Sequence, residues 1–292
     1  MQNISLEKID VLACSSKVSV IIPSLDGHRD GNIDILKHQI LSQTLKPIEI
    51  IVVSGIHPNG KARNEGVKKA SGDFYVFIDD DATLGNENVI ENLIKPFLER
   101  NDVGMTGPSQ LIPDDSNKFQ ISAARQIPRS LFPVQSSIVD SDMVCHMCLA
   151  MPAKLFKEVG WENPDIVSGT DPDLRVRVRR AGYRICVVPQ TWAYHPMPKN
   201  LVGLMKLAYF KGKNSAIVRK THPHLIFELD SGFNIGFSEK INFPYRIMRK
   251  IINLMTTLLN FRFILFFYLI SYSAGNILQS FGNLLNRSHG NK

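Results

Sequence analysis

Cysteine is scarce and scattered in this chain: Cys14, Cys145, Cys148 and Cys186 are the four among 292 residues. Cys145 and Cys148 have CxxC spacing, but no second pair stands at ligand spacing, and the stretch runs on into Leu149, Ala150 and Met151. Reduced thiols in a strand, in a cytosolic setting, are therefore expected instead of a zinc site or a redox motif. Residues 1–17 hold no apolar run, so no secretion signal is expected there. Internal repeats and low-complexity tracts are missing as well, which leaves a globular chain of one large or two small domains. No cluster of basic and aromatic residues looks like a nucleic-acid reader, so the net charge of +7 points elsewhere. A phosphate, a nucleotide or an anionic membrane is the expected partner.

What is present begins with short, fully apolar runs. Residues 18–22 (VSVII), 48–53 (IEIIVV) and 74–78 (FYVFI) read as buried parallel strands. Between and after them lie helical patterns: Ile33, Leu36, Ile40 and Leu41 on one face, a basic helix over 61–70, and a helix from Asn86 burying Val89, Ile90, Leu93, Ile94 and Phe97. This β-α-β-α-β-α order predicts an open, mostly parallel α/β sheet of Rossmann-like type. Such sheets bind ligands beyond the carboxyl ends of their strands, where the polar segments 24–30, 54–61 and 79–83 fall. Residues 101–142, broken by Pro108, Pro113, Pro128 and Pro133, read as an irregular excursion or lid. A strand is expected over 144–151 and a helix over 172–181, with Asp171 as its N-cap and Pro172 at its first position. Strands 185–188 and 191–194 then lead to His195.

Asp79, Asp80 and Asp81 directly follow the third strand. Adjacent carboxylates repel, and some take up protons unless a cation compensates. In extended backbone Asp79 and Asp81 point to one side, offering two hard oxygens to Mg²⁺ or Mn²⁺. A solvated acidic turn is the alternative, and the position at the sheet's carboxyl edge favours a site.

Several stretches together resemble the family 2 glycosyltransferases. They are VSVIIPSLD at 18–26, ARNEG at 62–66, ASGD at 70–73, FIDDD at 77–81, GTDPDL at 169–174 with Arg177, AGY at 181–183, and His195. The resemblance implies the GT-A fold and an inverting transferase that takes one sugar from a nucleotide-diphosphate donor. It implies donor contacts from Pro23, Ser24, Asp26, Ser54, Arg63, Asp79 and Asp80, and a metal on Asp81, Asp79 and His195. Asp171 matches the family's catalytic base. Where the family usually has Asp-Asp-Gly-Ser after the second strand, this chain has Ser54, Gly55, Ile56 and His57. Asp26 partly compensates from the neighbouring loop, and Thr170 replaces a common Glu. The Gln-x-x-Arg-Trp signature of polymer-making members is absent around Gln190 and Trp192, which favours single-sugar transfer.

The organisation expected is an extension at 1–17, a catalytic domain at 18–199 (donor half 18–107, acceptor half 108–199) and a membrane-associated region at 200–292. Within the last, Lys206, Lys211, Lys213, Arg219 and Lys220 mark a basic helix, and 244–260 read as an amphipathic helix suited to an anionic surface. The uncharged run 263–281 just suffices to span a bilayer. Basic residues from Lys240 to Arg262 would hold that side, and the catalytic domain, in the cytoplasm. A lipid-linked glycan or glycolipid is the expected acceptor. Two rivals remain: a nucleotidyltransferase, poorly served by the loop Asp26, Gly27, His28, Arg29, and a non-catalytic membrane-anchored scaffold of the same fold.

Overall fold

The computed structural model describes residues 5–10, 16–221 and 243–289; Cys14 and Lys240 lie outside them. The strands are β1 (Ser5–Asp10), β2 (Val18–Ser24), β3 (Glu49–Ser54), β4 (Phe74–Ile78), β5 (Thr83–Leu84), β6 (Val103–Leu111), β7 (Val139–Asp140), β8 (Cys148–Pro152) and β9 (Arg184–Tyr194). The helices are α1 (Asn32–Leu41), α2 (Asn59–Lys69), α3 (Val89–Glu99), α4 (Lys118–Gln126), α5 (Ala153–Glu158), α6 (Thr170–Arg180), α7 (Leu201–Thr221), α8 (Phe243–Leu259) and α9 (Phe263–His289).

The described strands all join one sheet in the order β1-β3-β2-β4-β8-β6-β9-β5, with β7 added beside β9. β3, β2 and β4 are mutually parallel, whereas β8 runs antiparallel to β4. The apolar runs of β2 to β4 have no polar face because helices cover both sides. Alternation sorts them: Val20, Ile22, Val76 and Ile78 pack with Leu36 of α1 and Leu93 of α3. Ile21, Tyr75 and Phe77 pack on the other side with Phe156 of α5 and Leu174 of α6.

Among the described residues two compact units emerge, one of 5–10, 16–113 and 131–196, the other of 114–130, 197–221 and 243–289. Thus 114–130, grouped by sequence with the acceptor half, cluster with the C-terminal helices.

Several local expectations are corrected. The supposed excursion at 101–142 contains β6, a long strand inside the sheet. Pro108 sits at one of its two register shifts, where a lost donor is tolerated. Gly104 lets the strand approach Tyr183, whose Cβ would lie 2.6 Å from an added Cβ. Strands 185–188 and 191–194 are one strand, β9, bent at Gln190 with its φ of 50°. The strand expected from Val144 starts only at Cys148. Before it, Cys148 N donates to Cys145 O in a tight turn that carries His146 at its tip. Asp171 is not the N-cap of α6; that position is Gly169, in left-handed backbone at φ 85°. Helix α3 starts at Val89 with Asn88 as N-cap, later than Asn86.

In the second unit, α7 and α9 cross at two glycines. A Cβ on Gly212 would lie 1.9 Å from the Tyr272 carbonyl oxygen, and one on Gly275 would lie 2.1 Å from that of Tyr209. Side-chain-free backbone is what permits this approach. Asn276 is buried there and donates to Gly212 O at 3.1 Å. Helix α4 opens with a capping box between Asn117 and Gln120, and its Ala123 packs against Leu204 of α7 and Leu265 of α9. Helix α8 leaves Ile247, Met248, Ile251, Ile252, Met255, Leu258 and Leu259 exposed. Within α9, Phe263–Asn283 is long and apolar enough to cross a membrane.

Candidate active site

The site forms where β2, β3 and β4 end. β2 delivers Pro23 and Ser24, both buried, and β3 delivers Ser54. After Ser24 the chain turns sharply around Asp26, whose Oδ1 accepts from the His28 and Arg29 amides, each at 2.9 Å. Those two hydrogen bonds hold the Asp26 carboxyl below its ordinary range. They also stabilise positive φ at Gly27 (77°), Arg29 (46°) and Asp30 (53°). Asp26 thus shapes the loop, and its turn leaves Ser24 Oγ to donate to Asp80 Oδ2 at 2.7 Å.

The aspartates do not continue β4. Ala82 N donates to Asp79 O at 3.1 Å, closing a turn, so the period of two that put Asp79 and Asp81 on one side does not apply. Asp79 faces α2, where Arg63 Nη2 donates to its Oδ1 at 2.6 Å. Arg63 is buried, and its Nε has no hydrogen-bond partner among the described residues. Burial drives the Asp79 carboxyl upward against the charges of Arg63 and His146. The carboxylates that share one cation are Asp80 and Asp81, with Arg29 Nε 3.7 Å from the first and Nη2 3.0 Å from the second. Burial also raises Asp80, opposed by Ser24 and Arg29. His195, at the end of β9, places Nε2 3.4 Å from Asp81 Oδ1. Sequence proximity did not suggest Arg29; its signal is a lone cation in a loop already placed at the site.

Asp171 approaches from α6. Its Oδ1 accepts from the His146 backbone N–H at 2.8 Å and from the same residue's Nδ1. Its Oδ2 carries no hydrogen bond among the described residues, and the side chain stays 30% exposed. Burial pushes this carboxyl up, but the charge and hydrogen bond of His146, then Arg175 and Arg63, hold it far below the usual carboxylate range. The His146 ring continues to Glu162, with Nε2 2.5 Å from Oε1. Burial and Arg63 push the imidazole towards neutrality, yet Glu162 and Asp171 outweigh them and raise it to about 9. Asn64 fixes Glu162 through two backbone hydrogen bonds, and Arg177 donates to the carbonyls of Val159 and Trp161 just before it. Neither His146 nor Glu162 was singled out by sequence. A histidine inside an apolar stretch was the available signal for the first. The CxxC cysteines around it are free, and burial lifts the Cys145 thiol to about 12, so they stay protonated.

For a divalent metal, Asp81 and His195 supply one carboxylate and one imidazole at a point where a guanidinium already compensates charge. Among the described residues, no three His, Cys, Asp or Glu side chains are gathered as a complete ligand set. The donors fit a hard cation whose shell is completed by diphosphate oxygens and water.

A family model described as "Glycosyltransferase like family 2" matches residues 10–209. The chain belongs to this family. No curated protein matches it. Among solved structures, the mannosyltransferase PcManGT from Pyrobaculum calidifontis, determined with GDP-Man and Mn²⁺, aligns at a TM-score of 0.55 and 13% identity. That alignment covers 90% of this chain and 87% of the other. S. aureus TarS 1–349 aligns over 91% and 92% of the two chains, at 15% identity and a TM-score of 0.47. The first likeness shows the fold of this family 2 glycosyltransferase: a mixed α/β, Rossmann-like GT-A sheet, as its sequence resemblance implied.

Proposed function

We propose that this glycosyltransferase moves one sugar from a nucleotide-diphosphate donor to an acceptor hydroxyl with inversion, and that Asp171 is its base. The observation that carries this reading is the asymmetric carboxylate of Asp171: Oδ1 is held twice by His146, while Oδ2 carries no hydrogen bond among the described residues and the side chain is 30% exposed. Inversion needs one base near the acceptor. Oδ2 takes the hydroxyl proton as the acceptor oxygen attacks the anomeric carbon, and the nucleoside diphosphate departs with the electron pair of the broken bond.

Donor contacts fall to Pro23, Ser24, Asp26, Ser54, Arg63, Asp79 and Asp80 at the sheet edge, with Arg29 added to the set expected from sequence. Mg²⁺ or Mn²⁺ would be held by Asp81 and His195, with Asp79 turned towards Arg63 instead; when bound, it supplies charge neutralisation for the departing diphosphate. The complex of the Pyrobaculum calidifontis mannosyltransferase with GDP-Man and Mn²⁺ supports including both in any donor test. A lipid-linked glycan or glycolipid suits the acceptor role. The exposed apolar residues of α8, the uncharged part of α9 and the cations of α7 suit an anionic membrane, with the catalytic unit on its cytoplasmic side.

A panel of UDP-, GDP- and dTDP-sugars with Mn²⁺ or Mg²⁺ tests the reading through nucleoside diphosphate release and thermal stabilisation. Release of pyrophosphate would assign a nucleotidyltransferase instead. Unchanged donor binding and turnover in Asp81→Ala would remove the metal role of Asp81, and neither binding nor release with any donor would leave only a scaffold.

A further inference from the structure

Between Asp171 and the protein interior lies a histidine that donates twice to the same carboxylate oxygen, once through its backbone and once through its ring. Such double anchoring follows from the turn between Cys145 and Cys148, which aims the amide and side chain of His146 in one direction. Behind the ring, Glu162 has no exposed side-chain surface, and its Oε2 lacks a hydrogen-bond partner among the described residues. Thr170 Oγ1 and the edge of Phe77 complete the wall around the imidazole.

Stability alone does not call for this arrangement. A carboxylate and a cation taken out of water, beside a second carboxylate that is partly so, bring little net gain over apolar side chains of equal volume. Beside it, Phe77, Phe156 and Leu174 pack as an apolar cluster on this face of the sheet.

We propose that His146 and Glu162 are positioning residues for Asp171, holding Oδ1 so that Oδ2 alone meets the acceptor hydroxyl. This rests on Asp171 being the base. His146 keeps both ring protons during the transfer; the hydroxyl proton ends on Asp171 Oδ2. Glu162 draws the Nε2 proton towards itself, which moderates the acidifying effect of the ring on Asp171. The charged groups facing this trio are Arg63 and Asp79 from α2 and the β4 end, and Arg175 from α6.

The test combines histidine ring NMR on full-length protein with steady-state kinetics on the donor that the panel selects. In the wild type, the resonance lost in His146→Gln stays protonated through pH 8, and both Asp171→Asn and Glu162→Gln lower its midpoint by more than one pH unit. Glu162→Gln and His146→Gln each reduce kcat at least tenfold with donor KM within twofold, and Glu162→Asp recovers part of it. Should His146→Gln fail to fold, Glu162→Gln and Asp171→Asn carry the test. Wild-type kcat in Glu162→Gln, alongside an inactive Asp171→Asn, would overturn the positioning role. So would a His146 that titrates near its ordinary value and ignores Asp171→Asn. An Asp171→Asn enzyme as active as wild type would instead remove the base assignment itself, whatever the histidine does.

Discussion

At the scale of single residues, the site divides one acidic triplet among three neighbours: Asp79 to Arg63, Asp80 to Ser24, Asp81 to His195. Sequence periodicity could not show this, because it assumed that the strand continued through the aspartates, and a turn intervenes. It did locate the triplet, because β4 is apolar throughout and must end where charge begins. Asp171→Asn removes the proposed proton acceptor while leaving the hydrogen bond to Oδ1, so nucleoside diphosphate release with acceptor should fall roughly a hundred- to ten-thousand-fold. Donor binding, read by thermal shift, should persist. His146 makes a second prediction, of stability against pH. Its folded value is raised to about 9 from an ordinary 6.5. The stabilisation is therefore complete below about pH 6.5 and lost as pH climbs through 9. Relative to His146→Gln, the wild type should melt higher at pH 6, and that gap should shrink towards pH 9.5.

Elements follow rules of packing more than of propensity. The strands and helices of the first half were legible because apolar runs and one-sided helical faces persist for whole elements, as in β2 and α3. β6 was not, since two glycines and a proline serve close approach and register shifts that depend on partners distant in sequence. His146 and Glu162 escaped for the same reason: sixteen residues separate them, and only the fold brings them to hydrogen-bond distance. The α7–α9 crossing allows a direct test of packing. Gly212→Ala and Gly275→Ala should each destabilise the helical unit by about 1–3 kcal/mol or more, through forced separation of the two backbones. Gly282→Ala in the same helix meets nothing within 4 Å and should be neutral or stabilising. Thermal melts and proteolysis of the three variants would rank them.

For the whole molecule, the two units suggest separable tasks. Truncation just before Phe243 is not a clean test, because it strips α7 of α9, its main partner. Replacing Ile251, Met255 and Leu258, all exposed on α8, with serine leaves that packing alone. Flotation with vesicles containing anionic lipid should fall several-fold in this variant, while donor hydrolysis stays near wild type. Equal loss of both would refute a membrane role confined to the helices.

Arg29 gives the site a resting state of its own. Its guanidinium stands between Asp80 and Asp81, so their mutual repulsion is partly offset by a side chain that the protein always carries. Integrity is thereby uncoupled from mineral supply. Stripping divalent cations with EDTA should silence transfer yet leave the melting temperature of the donor-free protein unchanged. In Arg29→Ala the same treatment should lower it, because nothing then spans the two carboxylates.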